Sequence, residues 1–226
     1  MDLHLASRTV LVVGGNGYIG RAVVDHLRAE GADVIVASRS GGGDALTLDA
    51  RDPASVTDGI ARAHARNGRL DGLVVTAAPS AQTLDPARSS DPEQVLQAFE
   101  GKALTFLRLA NAAIPLMREA GFGRIVGISG QNGFLTASIA GSVRNAALAI
   151  SAKNLADQLA GTGVTVNTIH PGTVTDTPSS TVERGFPGES SPDQIADLVT
   201  FFTSPLAVTS GESIAIGHRI RGAVNY

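Results

Sequence analysis

The residues of this chain best placed to do chemistry are those that follow its apolar runs. Thr9–Val13 is β-branched and apolar and breaks into Gly14-Gly15-Asn16-Gly17-Tyr18-Ile19-Gly20, after which Ala22, Val23, Val24 and Leu27 recur with a helical period. A glycine turn between strand and helix aims the first helical amides at an anion. Glycine is needed there because a Cβ would hold a pyrophosphate away. The next run, 33–37, ends in Ser38-Arg39-Ser40. An acidic residue at that point binds a ribose 2′-hydroxyl, whereas serine and arginine accept a 2′-phosphate. Arg39 therefore points to NADP(H) rather than NAD(H).

Further candidates close the remaining runs. Asp49 follows 45–48, Thr76-Ala77-Ala78-Pro79 follow Leu73-Val74-Val75, Ser129 to Asn132 follow 124–128, and His170-Pro171-Gly172-Thr173 follow 165–169. His170 is a side chain that titrates near neutrality. Ser129, Gln131 and Asn132 can hydrogen-bond a carbonyl without giving up a proton.

The elements that must position these residues alternate along the whole chain. Asp52-Pro53 opens a helix over Pro53–Asn67, with Asp52 as its cap. The patterning predicts long helices over 91–120, bent where Pro115 lacks an amide, and over 138–160. Ser191-Pro192 starts another helix, and Ser213–Ile216 is a last strand. Strand–helix alternation implies an α/β fold: one domain over 1–226 with a doubly wound parallel sheet (a Rossmann fold) and helices on both faces. Ligands bind such sheets beyond the carboxyl ends of the strands, where all the candidates fall.

Composition excludes several other functions. A sequence of 226 residues with 43% hydrophobic and 17% charged residues and a net charge of −3 carries no basic footprint for nucleic acid. Its apolar runs are too short for a bilayer, and Met1-Asp2-Leu3-His4 is unlike a signal peptide, so the expectation is a cytoplasmic protein. There is no cysteine, and the five histidines lack close metal-ligand spacing, so no metal is expected.

Taken together, the glycine turn, Asp49, Gly123-Arg124-Ile125-Val126-Gly127-Ile128-Ser129, Val166-Asn167-Thr168-Ile169-His170-Pro171-Gly172 and the Ser191-Pro192…Ser204-Pro205…Gly211-Glu212 pattern resemble the short-chain dehydrogenase/reductase family over nearly the full length. The spacing Gly14-x-x-Gly17-x-x-Gly20 resembles the family's extended branch, while the other motifs resemble its single-domain reductases. Tyr18 stands where those usually have their middle glycine. The resemblance implies cofactor contacts from Gly14, Asn16, Gly17, Tyr18, Ile19, Gly20, Ser38, Arg39, Asp49, Ala77, Ala78, Pro171, Gly172 and Thr173. It also implies a small-molecule substrate and a homodimer or homotetramer built on the two long helices.

The resemblance carries over unevenly to the family's catalytic set, a tyrosine, a lysine four residues later, a serine and a helix asparagine. Gly141 falls at the tyrosine position and Asn145 at the lysine position. The only tyrosines, Tyr18 and Tyr226, lie elsewhere. Gly130 falls at the serine position beside Ser129, and Lys102 falls where the family has its asparagine. Lysine and asparagine are thus exchanged between two helices, and the catalytic candidates are Lys102, Ser129, Asn145 and His170. Tyr226, last in the sequence, is a candidate to reach a neighbouring subunit. Two function classes follow. One is an oxidoreductase acting on a carbonyl or imine-type substrate. The other is a non-redox enzyme (a cyclase, dehydratase or isomerase), or a cofactor-binding pseudoenzyme or partner subunit.

Overall fold

The computed structural model describes residues 2–136, 138–183 and 186–217, and Tyr226 lies outside them. The first half comprises β1 (Thr9–Val13), α1 (Tyr18–Ala29), β2 (Asp33–Ser38), β3 (Leu46–Thr47), α2 (Pro53–Asn67) and β4 (Gly72–Val75). The second half runs α3 (Pro92–Phe99), α4 (Thr105–Glu119), β5 (Gly123–Ile128), α5 (Ile139–Gln158) and β6 (Val164–Pro171). It closes with β7 (Thr173–Val174), β8 (Glu189–Ser190), α6 (Pro192–Thr203) and β9 (Ser213–Ile216). Seven strands form one parallel sheet in the order β3-β2-β1-β4-β5-β6-β9. The order reverses between β1 and β4, which is where a doubly wound sheet opens its ligand crevice.

Alternation along β1 divides the core. Val10 and Val12 pack with Val23 and Leu27 of α1 and with Ile195 and Val199 of α6. Leu11 and Val13 face the other way, onto Ile60 of α2, Phe106 and Leu109 of α4 and Leu148 of α5. Burying each such side chain contributes about 1.5–3 kcal/mol. Helix starts are capped by side chains. Asp52 accepts from the Ala54 amide at 3.0 Å, Asp91 accepts from Glu93 at 2.9 Å, and Ser191 forms a reciprocal capping box with Gln194. Each cap contributes about 1 kcal/mol. Asn167, wholly buried in β6, holds the turn before β9 through the Thr209 carbonyl at 2.9 Å and the Glu212 amide at 3.1 Å.

Two expectations change. The helix anticipated over 91–120 is not simply bent at Pro115. It is interrupted by a π turn over Glu100–Leu104, and α4 continues through Pro115. Pro115 and Asn111, whose carbonyl loses its partner, are both exposed, so water can serve that carbonyl. The π turn lies where Gly101 meets Pro79: a Cβ on Gly101 would sit 3.0 Å from the proline ring. The second change is a small parallel pair, β7 with β8, within the segment that joins β6 to α6. Among the described residues, no helix is long and apolar enough to cross a membrane.

Candidate active site

The glycine turn is shaped by contacts on three sides. Gly14 has φ +91°, and a Cβ there would lie 2.7 Å from both the Ala77 nitrogen and Thr76 Oγ1. The amides of Thr76 and Ala77 both donate to the Val13 carbonyl at 3.0 Å, which draws the end of β4 against the turn. A Cβ on Gly20 would fall 2.2 Å from the Gly14 carbonyl oxygen, so this glycine closes helix onto strand. Gly17 is different. It is exposed, and only the Gly14 oxygen lies near its missing Cβ, at 3.1 Å. It caps α1 without a side-chain hydrogen bond, and the first turn contains no acidic residue. That open, positively polarised helix end suits an anion. Ile19 packs into the core beneath it. The Tyr18 hydroxyl donates to Asp176 Oδ1 at 2.5 Å, and the carboxylate holds the phenol's pKa above its ordinary value.

A cleft of about 920 Å³ extends from this turn over the carboxyl ends of the strands. Gly14, Asn16, Gly17, Ser38, Arg39, Asp49, Ala77 and Ala78 line it, as the sequence suggested, and Arg51, Pro79, Gly101 and Thr105 complete the wall. Asn16 Nδ2 donates to Ser38 Oγ at 3.1 Å, and Ser38 Oγ donates to the Gly41 carbonyl at 3.1 Å. The Arg39 side chain is exposed and has neither hydrogen bond nor ion pair among the described residues. Tyr18, Ile19, Gly20, Pro171, Gly172 and Thr173 are not in this wall. For Gly172 the local reason is steric, since a Cβ would stand 2.2 Å from the Gly188 carbonyl oxygen. The Thr173 amide donates to that same oxygen at 3.2 Å, so this stretch anchors the β7–β8 segment.

Three of the four catalytic candidates converge. Lys102, in the π turn and 6% exposed, donates through Nζ to the Ser129 carbonyl at 2.7 Å. Burial, and secondarily the nearby Arg144 guanidinium, lower its pKa to about 7. Ser129 Oγ donates to the Asn145 carbonyl at 3.1 Å and lies 3.5 Å from Asn145 Oδ1. At Gly130 a Cβ would sit 3.1 Å from Asn145 Nδ2, and at Gly141 the nearest atom to a Cβ would be Ser138 Oγ at 3.3 Å. His170 adjoins the group without opening onto it. It is 0% exposed, with Nδ1 3.2 Å from the Gly130 oxygen and Nε2 2.8 Å from Thr168 Oγ1. The histidine considered for proton transfer is thus a hydrogen-bonded residue of the core, because β6 carries it there.

Sequence reasoning missed two cations. Arg51 follows Asp49, whose carboxylate accepts the Arg51 amide at 3.0 Å, and its guanidinium extends to Gly101. Arg144 is 4% exposed and donates to the Pro79 carbonyl at 3.1 Å. Its signal was an arginine in the otherwise uncharged opening half of an alanine-rich helix. Lys102 also carried a signal of its own, standing four residues from Ala98 and four from Phe106 in one buried stripe.

A family model described as enoyl-(acyl carrier protein) reductase matches residues 16–216. The chain is similar to BbsC of Thauera aromatica, a subunit of (2S)-[(R)-hydroxy(phenyl)methyl]succinyl-CoA dehydrogenase, with 29% identity over 232 residues covering 90% of each sequence. It is 30% identical over 186 residues, 75% of each sequence, to the 3-oxoacyl-[acyl-carrier-protein] reductase FabG of Escherichia coli. A short-chain type dehydrogenase/reductase from Mycobacterium ulcerans superposes with a TM-score of 0.80 at 23% identity, covering 94% of this chain and 89% of that one. Matched over most of its length, with its strand order and glycine turn in the expected places, this chain belongs to the short-chain dehydrogenase/reductase family of oxidoreductases.

Proposed function

We propose that the chain is an NADP(H)-dependent oxidoreductase acting on a small-molecule carbonyl or imine, with Lys102 as its proton carrier. The observation that carries this reading is the Lys102 ammonium held on the Ser129 carbonyl at the carboxyl edge of the sheet, with a pKa near 7. An ordinary lysine keeps its proton at neutral pH. One poised near 7 both holds and releases it, as general acid–base catalysis requires. It stands in for the tyrosine that the family places on α5, where this chain has Gly141, and Asn145 occupies the family's lysine position.

The cleft fits a dinucleotide at several points. The uncapped first turn of α1 beside Gly17 would hold a pyrophosphate, and Ser38 with the unpaired Arg39 would hold a 2′-phosphate. Asp49, Ala77 and Ala78 would bound the adenosine. When bound, such a cofactor supplies or accepts the hydride. The protein's part is to fix geometry and move the proton: Lys102 protonates the substrate oxygen on reduction and reclaims the proton on oxidation. The same reading makes the protein a cytoplasmic homodimer or homotetramer. Leu96 on α3 and Ile139, Val143 and Ile150 on α5, exposed by 57%, 51%, 38% and 60%, would meet a second copy.

The test is NADPH binding by fluorescence, followed by NADPH oxidation with a panel of carbonyls and imines. The expected result is turnover that declines above pH 7 as Lys102 loses its proton, with Lys102→Gln slower by about 10²–10⁴-fold at unchanged NADPH affinity. Failure to bind NADPH overturns the reading, and a fully active Lys102→Gln removes the role of the amine. A second reading has one observation in its favour, the similarity to a protein named as a subunit of a dehydrogenase. On that reading this chain is a cofactor-binding partner of a catalytic chain, and NADPH binding without turnover across the panel would favour it.

A further inference from the structure

Lys102 and Arg144 are buried cations without a counter-charge. They are 6% and 4% exposed, and among the described residues neither has an ion pair. The charged groups on the surrounding elements do not compensate them. Glu100, in the same π turn, is paired with Arg108 at 3.1 Å, Arg51 approaches Gly101 as a further cation, and His170 is hydrogen-bonded within β6. Buried charges are costly unless paired, so two adjacent like charges mark a place where the fold is incomplete by itself.

The hydrogen-bond inventory points the same way. Lys102 has three ammonium protons, and among the described residues one acceptor is in place, the Ser129 carbonyl. Arg144 Nη1 is held by the Pro79 carbonyl, while its Nε is buried without a partner. The Ser129 hydroxyl donates to the Asn145 carbonyl and lies against Oδ1, so Asn145 Nδ2 remains a donor without an acceptor among the described residues. Gly101, which precedes Lys102, and Pro79, whose carbonyl holds Arg144, both line the cleft, so its inner end borders these donors. Cationic, rich in donors and poor in acceptors, this end of the cleft matches the four lone-pair sites of a carboxylate.

We infer that this pocket is a carboxylate subsite and that the substrate is an oxo acid, whose carboxylate lies between Lys102 and Arg144 against Asn145 Nδ2. This inference rests on reading the cleft as an active site and adds the substrate's chemical class. It also gives binding a consequence: the arriving anion raises the proton affinity of Lys102, so substrate loads the proton that reduction then uses.

The experiment is calorimetric titration of the NADPH-saturated protein with benzoate, a non-reacting probe, and with benzamide as its neutral counterpart. Saturating NADPH fills the glycine turn, the other anion site. At pH 8 about nine-tenths of Lys102 is neutral, so benzoate should take up close to one proton, read from buffers of different ionisation heat. At pH 6 the uptake should nearly vanish. Benzamide, and benzoate with Arg144→Gln, should bind at least tenfold more weakly, with NADPH affinity unchanged by the substitution. Equal affinity for benzoate and benzamide, absent proton uptake at pH 8, or no saturable benzoate binding would overturn the subsite. Proton uptake is read on the unaltered protein, so a variant that fails to fold does not decide the matter. If NADPH itself does not bind, the cofactor reading fails on that readout alone. The same titration of the free protein then decides the subsite, because Tyr18, the titrating side chain of the glycine turn, keeps its proton at both pH values.

Discussion

Replacing Lys102 by methionine should change how the stability of the protein depends on pH, whatever the substrate proves to be. The amine titrates at about 7 in the folded protein, against 10.5 for an ordinary lysine. Below pH 7 it is protonated both folded and unfolded, so the full penalty of burying the charge, roughly 5 kcal/mol, weighs against folding. Between pH 7 and 10.5 the unfolded chain binds more protons than the folded one, and stability rises with pH by at most about 1.4 kcal/mol per unit. From pH 6 to pH 9 this one amine should add roughly 2.5 kcal/mol, a rise in melting temperature of about 5–10 °C for a domain of this size. The thioether of the Lys102→Met protein does not titrate and adds no such dependence. Thermal and urea unfolding of both proteins at pH 6, 7, 8 and 9 should show methionine relatively most stabilising at pH 6, with the advantage shrinking by that amount at pH 9. Other titrating groups cancel in the difference between the two proteins. Parallel stability profiles would refute the reasoning, because they would mean that the amine is solvated or paired in the folded protein.

Arg39→Glu should weaken NADPH binding by about 10–100-fold and improve NADH binding, since a charge-assisted phosphate contact is exchanged for repulsion. Fluorescence titrations with both dinucleotides measure this, and an unaltered ratio of affinities would remove Arg39 from the phosphate site. On the proposed homo-oligomer, Leu96→Glu with Ile150→Glu should give a monomer by light scattering without lowering the unfolding midpoint by more than a few degrees, because both side chains are more than half exposed in the single chain. An unchanged mass would place the subunit contact elsewhere.

Much of the fold was legible because its signals are local. The β-branched run of β1, the glycine cluster behind it, the Asp52-Pro53 and Ser191-Pro192 helix starts and the alternation of elements each act within a few residues. They sufficed for a parallel sheet with helices on both faces. What local signals missed was set by contacts distant in sequence. The π turn over Glu100–Leu104 lies where Gly101 meets Pro79, twenty-odd positions upstream, and the β7–β8 pair depends on the approach of Gly188 to Gly172. Neither approach leaves a periodic trace.

The site divides along the same line. Gly14, Gly17, Ser38, Arg39 and Asp49 each follow a strand that announces itself, so this side of the cleft wall could be anticipated in order along the chain. The other half is an arrangement of pairs: Lys102 with Ser129, 27 positions apart, Ser129 with Asn145, 16 apart, and Arg144 with Pro79, 65 apart. Family position located Lys102 and Asn145 but could not say whether the lysine points outward. The buried stripe from Ala98 through Lys102 to Phe106 answers that, because a surface lysine would break such a stripe at no cost to the helix, whereas this one stays within it and is desolvated. Arg144 had no such frame, since its helix is apolar on nearly every side and the arginine acquires meaning only once Pro79 and Lys102 are beside it. A protein that keeps Lys102 and Arg144 in its interior, with no counter-charge among the described residues, lowers its own stability, and the Lys102→Met comparison measures the lysine's share. Such a cost is what a site incurs when the missing charge belongs to its ligand.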